Sequence, residues 1–385
     1  MKHTILVISP FFYPEAISTG KYNTHMVEAL RDAGHDVDVI CSYPLYPAWR
    51  PAPTDKQLDG VRITRGGLRV RYPASAVLRR LCLEAWFAMF ARKAVRQKQK
   101  EYSKVVLIYP PNLAGVLTAR LFRESETQLV GIVHDLQGVL IKAENGLFRR
   151  LVFRGVKMLE RAAFNSVDSL IYLSENMRAN ANAAYPGLKP ASEVAYPFVS
   201  VDEQAGAPRD YFNNGKLNIV YSGALGEKQN PEGLLALFVA LAQDERFRCH
   251  IFSAGRVFEQ LKAKSNGSGV EFHPLVPQED LISLLSSSAL QVVPQVLDTS
   301  DGAFPSKIPN IVSLNTPLLC ITPEHGELHK LLSSSGRALL CGHWGVEKIK
   351  EEVRRFLLEG GVADTYEPDL ITKFDVKDLV EKITG

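Results

Sequence analysis

Leu217-Asn218-Ile219-Val220-Tyr221-Ser222-Gly223-Ala224-Leu225-Gly226-Glu227-Lys228-Gln229-Asn230-Pro231 is the stretch on which the fold turns. A short apolar run without polar alternation, Leu217–Tyr221, suits a strand covered on both faces, and so a parallel one. It breaks at Ser222-Gly223, passes a second glycine and a lysine, and then enters a helical stretch. Two glycines and a lysine at a strand-to-helix junction can hold a diphosphate through backbone N–H groups and one mobile ammonium. Lys228 taken alone also reads as an ordinary solvated lysine.

The same unit recurs in both directions along the chain. Apolar, β-branched runs stand at Ile5–Ile8, Val37–Cys41, Val105–Ile108, Leu129–Val133 and Ser169–Leu173, then at Leu217–Tyr221, Cys249–Ser253, Gly269–His273, Leu290–Pro294 and Pro317–Ile321. The lengths between them suit crossover helices, so the pattern is α/β and doubly wound, and it occurs twice. Residues 200–208, polar and rich in small side chains, read as a linker. The predicted division is residues 1–204 for a first Rossmann-like domain, 205–365 for a second, and 366–385 for a C-terminal segment whose helix packs back on the first. Two such domains facing a central cleft would present the C-terminal strand ends, and the ligand site, at their junction. A single sheet of about ten strands is the competing architecture, and twisted open sheets seldom grow so large.

Composition narrows the class further. The chain has 385 residues, 46% of them hydrophobic and 23% charged, which excludes a disulfide-stapled mini-protein and wholesale disorder. No stretch reaches ~18 consecutive apolar residues, and the start reads as a first strand, with too short an apolar run for a signal peptide. Cys41, Cys82, Cys249, Cys320 and Cys341 are scattered, without a C-x-x-C pair, as expected of reduced thiols in a cytosolic protein and not of a zinc site. The net charge of +3 hides an asymmetry: residues 1–200 carry 27 Lys/Arg and 17 Asp/Glu, a net +10, against −7 for residues 201–385. Twelve of the basic residues lie between Arg62 and Lys104, with only Glu84 and Glu101 opposing them. Such a patch attracts an anionic partner: nucleic acid, an acidic lipid surface or a phosphorylated substrate.

Five further places could carry chemistry. After the first strand, Ser18, Thr19 and Gly20 open a helix, where small residues and unpaired N–H groups can receive an anion, although Ser18 or Thr19 would also serve as a plain cap. There is no G-x-G-x-x-G, which argues against a tightly bound dinucleotide. Ser306 and Lys307 stand at a second helix start, after Phe304-Pro305, so that donors and positive charge converge twice in the second domain. His134-Asp135 follows strand Leu129–Val133 on the face where sites form. A histidine there can donate to a sugar hydroxyl or leaving-group oxygen, with Asp135 orienting it or binding a hydroxyl, or it can be purely structural. His3, His35, His250 and His343 lack such a context, and neither G-x-S-x-G nor H-E-x-x-H occurs. Lastly, residues 76–95 mix Leu78, Leu81, Trp86, Phe87, Met89 and Phe90 with Arg79, Arg80, Arg92 and Lys93. The mixture suits a helix docked on an anionic membrane or a crossover helix packed in the core. The aromatic, Pro-broken loop from Tyr43 to Trp49 suits sugar or lipid contact, or packing.

Taken in order, the stretches PFFYPEAISTGKY, YPLYPAWRP, VHDLQ with LERAAFNSVDSLIYLSENM, YSGALGEKQNPEGLL and FPSKIPNIVSLNTPLL resemble family 4 glycosyltransferases of the GT-B fold. Within that family they are most similar to the bacterial branch that builds capsule, colanic-acid-like exopolysaccharide and O-antigen, including fucose and N-acetyl-fucosamine transferases. The resemblance spans about residues 1–330 and is specific for the fold and reaction class, much less so for the sugar. It implies that Ser18, Thr19 and Gly20 face the donor diphosphate, that His134 lies near the transferred sugar, and that Lys228 is the phosphate-binding lysine of the G-x-L-x-x-x-K pattern. Gly223 and Glu227 flank that lysine, while Ser306 and Lys307 match the P-S-K element. The usual E-x7-E signature is missing: Asn310, expected among the donor-binding residues, stands where its second glutamate lies, and Asp301 is near, though out of register with, the first. Glu327 is a lesser donor-contact candidate that also reads as a helix-start acid. Tyr43, Trp49, Arg79, Arg80, Trp86, Arg92 and Lys93 are expected on the acceptor and membrane side.

The function implied is a retaining, metal-independent transfer, with no cofactor, from a nucleotide-sugar donor, UDP-linked by preference. The acceptor would be a lipid-diphosphate-linked saccharide at the inner face of the cell membrane, reached by a cytoplasmic, peripheral enzyme. No two-carboxylate pair is evident, so a front-face mechanism fits better than a glycosidase scheme. The alternative is a catalytically degenerate sugar-nucleotide-binding partner subunit. A sugar-nucleotide epimerase would need acid/base residues that are not found, and nucleic-acid binding lacks a module. A homo-oligomer is left open.

Overall fold

The computed structural model describes residues 2–385 apart from residues 16, 47, 99–100, 138–146, 201–209 and 298–303. Two compact units emerge, one of Met1–Pro197 with Asp375–Gly385 and one of Phe198–Phe374. The expected boundary near residue 205 lies outside the described residues, as does most of the linker.

The first unit is built on seven strands: β1 (Thr4–Ile8), β2 (Asp36–Ser42), β3 (Val61–Gly66), β4 (Lys104–Tyr109), β5 (Gln128–Val133), β6 (Ser169–Tyr172) and β7 (Ala191–Val194). Their order in the sheet is β3-β2-β1-β4-β5-β6-β7, and every pairing is parallel. Strand burial explains which strands the sequence reveals. All of β4 is buried and so are the four residues after Thr4 in β1, whereas β3 (VRITRG) and β7 (ASEV) have exposed positions and lie at the two edges. A central strand needs apolar side chains on both faces, and an edge strand does not. Helix α1 (Ser18–Asp32) buries Gly20, Asn23, Met26, Val27 and Leu30, a stripe at helical spacing that lays one face on the sheet.

The second unit carries a six-stranded sheet of β8 (Leu217–Ser222), β9 (Phe247–Phe252), β10 (Val270–His273), β11 (Leu290–Pro294), β12 (Leu318–Ile321) and β13 (Ala338–Cys341), in the order β10-β9-β8-β11-β12-β13. These pairings too are all parallel. Its core joins Ile219 and Tyr221 of β8, Cys249 and Ile251 of β9, Val292 of β11 and Leu319 of β12 to Leu234, Leu237, Phe238 and Leu241 of the Pro231–Leu241 helix. Each sheet reverses its direction of strand addition beside its first strand, β1 in one and β8 in the other. Such switch points are where open α/β sheets bind ligands, outside the strands' carboxyl ends. The helix Val376–Thr384 packs against α1 in the first unit. The five cysteines are free, and all but Cys82 are buried.

Candidate functional site

In the first unit the loop leaving β1 is held by buried polar groups. Asn23 Nδ2 donates to Ser9 Oγ at 2.8 Å and to the Phe11 carbonyl at 3.0 Å. The buried Glu15 carboxylate accepts from the Leu45 N–H at 2.6 Å and the Tyr46 N–H at 3.1 Å, tying this loop to the one after β2. Gly20 serves that packing: a Cβ there would lie 3.0 Å from both the Glu15 Cβ and its carbonyl oxygen. Ser18, exposed, and Thr19, half-buried, form the first turn of α1 behind Ile17, whose side chain caps nothing. The expected cap role of Ser18 or Thr19 is therefore not taken up, and the first-turn N–H groups have no partner within the helix.

His134 sits where β5 ends, its N–H donating to the Tyr109 carbonyl at 2.9 Å. Its ring meets Tyr22 edge-on, with centroids 4.6 Å apart at 86°. Tyr22 is one helical turn beyond Ser18, so the first turn of α1 and His134 are neighbours through this ring. Nε2 of His134 is buried without a hydrogen-bond partner, and burial lowers the imidazole pKa to about 4. The ring is thus neutral at pH 7 and keeps one polar atom unmatched. Asp135 stands towards Arg80, whose Nη2 lies 3.9 Å from its carboxylate.

Beside them opens a cavity of about 280 Å³ lined by Phe11, Trp49, Arg79, Arg80, Leu83, Glu84, Pro110, Pro111 and Gln137. Phe11, Trp49, the two prolines and Gln137 come from the loops after β1, β2, β4 and β5, and the other four from helix α2 (Ala76–Gln97). The Arg79 guanidinium lies 4.2 Å from the Trp49 ring centroid, which fixes its plane by cation–π attraction. With the Gln137 amide oxygen turned to it, Arg80 donates from Nη2 at 3.0 Å and from Nε at 3.1 Å. Glu84 is buried and caps helix α3 (Asn112–Ala119), accepting from the N–H of Asn112 at 3.0 Å and of Leu113 at 2.9 Å. Burial raises its pKa, opposed by those two N–H groups. The cavity is mostly apolar, with Arg79, Arg80 and the buried carboxylate of Glu84 as its charged side chains.

Helix α2 corrects the expectation for its aromatic residues. Trp86 turns inward with its indole N–H buried, Phe87 is 1% exposed, and Phe90 lies over Gly66 of β3, where a Cβ would come within 2.1 Å of its ring. The outward stripe is aliphatic instead: Leu78, Leu81 and Met89 are each more than half exposed, and Arg92, Lys93 and Arg96 continue it. Arg92 and Lys93 stand twelve and thirteen residues past Arg80, about 18 Å along the helix, and so do not join the cavity. Tyr43, half-buried, donates its N–H to the Gly66 carbonyl and does not line the cavity either.

The basic cluster of the sequence is also partly neutralised. Arg62 and Lys98 both bind the buried Asp38, at 2.9 and 2.7 Å, Arg65 donates to the Tyr13 carbonyl at 2.9 Å, and Lys104 is buried. The exposed cations outside these contacts include Arg69, Arg71, Arg92, Lys93 and Arg96.

In the second unit the two predicted phosphate elements come together. Gly223, at φ +124°, lets the chain turn sharply out of β8, and Lys307 reaches that turn, its Nζ donating to the Ser222 carbonyl at 2.7 Å and lying 4.1 Å from the Tyr221 ring centroid. Burial lowers the Lys307 pKa to about 8. Exposed Ser306 precedes it, while Glu227 and Lys228 are exposed on the turn Glu227–Gln229. That turn is pinned to the exit of β11, since the Val296 N–H donates to the Lys228 carbonyl at 3.0 Å. Glu327, half-buried, opens the Glu327–Leu332 helix after β12. Asn310 is held within its own unit: its side-chain oxygen accepts from the Ser200 N–H at 2.8 Å and its Nδ2 donates to Ser200 Oγ at 3.2 Å, so this buried amide anchors the 198–200 segment.

Sequence reasoning missed Tyr22, Glu15, Phe11, Glu84 and Gln137. Only Tyr22 carried a local signal, the four-residue spacing from Ser18; the others are set by which loops meet.

Comparison with known proteins agrees with this geometry. Residues 19–194 match the model of the glycosyl transferase 4-like domain. A protein of Escherichia coli strain K12 named as a colanic acid biosynthesis glycosyl transferase, WcaI, is 24% identical over 381 residues, covering 92% of each chain. Among solved structures, WaaG, a glycosyltransferase involved in lipopolysaccharide biosynthesis, superposes with a TM-score of 0.67 at 14% identity over 99% of this chain and 100% of that one. Sucrose-phosphate synthase from Thermosynechococcus elongatus does so with 0.68 at 16% identity, over 99% and 95%. Residues 19–194 thus match a glycosyl transferase 4-like domain, and the chain, built on two Rossmann-like units, has the GT-B fold of these solved structures.

Proposed function

We propose that the protein is a retaining glycosyltransferase of bacterial surface polysaccharide synthesis. It takes a sugar from a nucleotide-sugar donor, UDP-linked by preference, to a lipid-diphosphate-linked saccharide. The observation that carries the donor half is the convergence of Lys307 on the Ser222-Gly223 turn, with Lys228 exposed on the next turn. As the sugar leaves, negative charge builds on the nucleoside diphosphate. Two ammonium groups and the N–H groups of the turn stabilise it without a metal or cofactor. A diphosphate oxygen draws Lys307 Nζ from the Ser222 carbonyl, since a charged acceptor binds an ammonium more strongly than a neutral one.

The acceptor half rests on the first unit. Arg79 and Arg80 in the walled cavity suit an acceptor phosphate, and the aliphatic stripe of α2 with its basic end suits an anionic lipid surface, giving a peripheral enzyme on the cytoplasmic side. Among the described residues no helix is long and apolar enough to cross a membrane. In this reading His134, whose buried Nε2 has no hydrogen-bond partner, donates to the sugar or leaving oxygen once the donor is bound.

The test is a panel of radiolabelled UDP- and GDP-sugars incubated with the purified protein and a lipid-diphosphate saccharide, with label followed into the organic phase. Transfer from a UDP-sugar with retained anomeric configuration is expected. Asn310, standing where family 4 has a glutamate and bound to Ser200, favours a second reading as a sugar-nucleotide-binding subunit. Donor binding without turnover across the panel would establish that reading and remove the transferase one.

A further inference from the structure

On the edge of the second sheet, three side chains from neighbouring parallel strands aim at one point. His250 of β9 and Glu271 of β10 are register partners, and His273 follows two residues on, so all three share one face of the sheet. His250 Nδ1 lies 3.1 Å from His273 Nε2 and 3.5 Å from Glu271 Oε2, while His273 Nε2 is 3.7 Å from the same oxygen. Ligand bonds of ~2.0–2.1 Å at tetrahedral angles place donor atoms about 3.3 Å apart. The triangle already has the dimensions of three corners of such a site.

The atoms behind it set the tautomer. Asn218 Nδ2 donates to the Lys216 carbonyl at 3.0 Å, which turns its Oδ1 towards His250 Nε2, 3.0 Å away. Nε2 therefore carries the hydrogen, and the lone pair of Nδ1 faces the triangle. This is the outer partner that orients a metal-binding imidazole. Both rings are held by stacking, His250 on Phe212 with centroids 4.5 Å apart and His273 on Phe252 at 4.4 Å. Exposure is graded across the set: the side chains of His250, His273 and Glu271 are 3%, 33% and 50% exposed, so an ion can enter from the Glu271 side and keep a water as fourth ligand.

We propose that His250 Nδ1, His273 Nε2 and a Glu271 oxygen bind a zinc-class divalent ion that clamps edge strand β10 to β9. Two imidazoles and a single carboxylate suit zinc and its neighbours, whereas magnesium and calcium require oxygen ligands. Arg248 and Lys262 add positive charge nearby, which further disfavours ions held by charge alone. On binding, the neutral His273 ring shifts to its other tautomer, losing the proton at Nε2 to solvent as Nδ1 takes one up, which frees the second lone pair. The site is independent of the transferase reading and uses none of its residues.

Tag-free, chelator-treated full-length protein would be titrated with Zn²⁺ alone against a chromophoric chelator, and with Co²⁺ to read the ligand field. One Zn²⁺ per chain is expected, with a tetrahedral Co²⁺ spectrum and a rise in Tm, because a ligand of the native state stabilises it. His273→Gln and Glu271→Gln, both at solvent-facing positions, should each weaken Zn²⁺ binding by more than about a hundredfold and abolish the Tm rise. Asn218→Ala should cost about ten- to a hundredfold, as loss of an outer partner does. Absence of stoichiometric binding by the parent protein, or unchanged binding in both Gln variants while they remain folded, would overturn the proposal.

Discussion

Lys307 Nζ donates to the Ser222 carbonyl at 2.7 Å across 85 residues of sequence, so the P-S-K element and the glycine turn after β8 are one structural feature. The Lys307 side chain is half-buried, and desolvation of its ammonium lowers its pKa to about 8, which gives it two measurable signatures. Between pH 8 and about 10.5 the unfolded chain binds more protons than the native one, so stability rises with pH across that window and the cost of the buried charge is fully present below it. Lys307→Met should therefore raise stability at pH 7, by about 1–3 kcal/mol in denaturant titration. The same variant should lose about tenfold or more in UDP affinity. In the parent, UDP affinity should fall as pH rises past 8; a flat profile would detach Lys307 from the phosphates.

Lys228 is exposed and serves no packing through its side chain in the Glu227–Gln229 turn. Lys228→Ala should leave the unfolding free energy within about 0.5 kcal/mol of the parent's and lower kcat by about two orders of magnitude or more. Near-normal transfer rates would remove Lys228 from the mechanism.

For His134 the separation of roles is sharper. Its buried, unmatched Nε2 costs stability in the free protein, so His134→Leu should be neutral or stabilising while turnover drops about a hundredfold or more. A variant that loses stability and activity together would mark the histidine as structural.

The two arginines of the cavity divide from the stripe of α2 in the same way. Arg79→Ala and Arg80→Ala should raise KM for the lipid-linked acceptor at least about tenfold with donor binding unchanged. Leu78→Asp with Leu81→Asp, on the outward face, should abolish flotation with anionic liposomes while the donor still binds. Flotation equal to the parent's would place the lipid contact elsewhere.

Asp38 governs the acid limb of stability. Burial alone would raise its pKa, but hydrogen bonds from Lys98, Tyr102 and Arg62 bring it down to about 2. A depressed carboxylate stabilises above its unfolded pKa, near 4, and that contribution is lost as pH falls through 4 towards 2. Asp38→Asn should cost on the order of 2 kcal/mol at pH 7 and flatten the stability profile between pH 4 and 2. His134, unable to protonate until about pH 4, adds a loss that begins near pH 6.5.

Much of this was written in local sequence. Nine of the ten apolar runs are inner strands, and a parallel strand buried on both faces cannot hide its composition, while the tenth, β10, is an edge strand legible through Val270 and Phe272. The glycine and lysine elements stand at strand ends because the doubly wound pattern puts them there. The edge strands β3, β7 and β13 were not read, since an edge needs no continuous apolar run. Trp86 was read as outward because composition gives the residues of a helix without saying which face meets the sheet.

Proximity across sequence was decided only by folding. That Asn310 spends its amide on Ser200, that Arg62 and Lys98 are neutralised by Asp38, and that His250, Glu271 and His273 converge are facts of strand register and loop packing. Short-range pattern records burial and turn geometry, because those act on each residue alone. Partnership between polar groups is a property of pairs, and only the tertiary structure chooses the pairs.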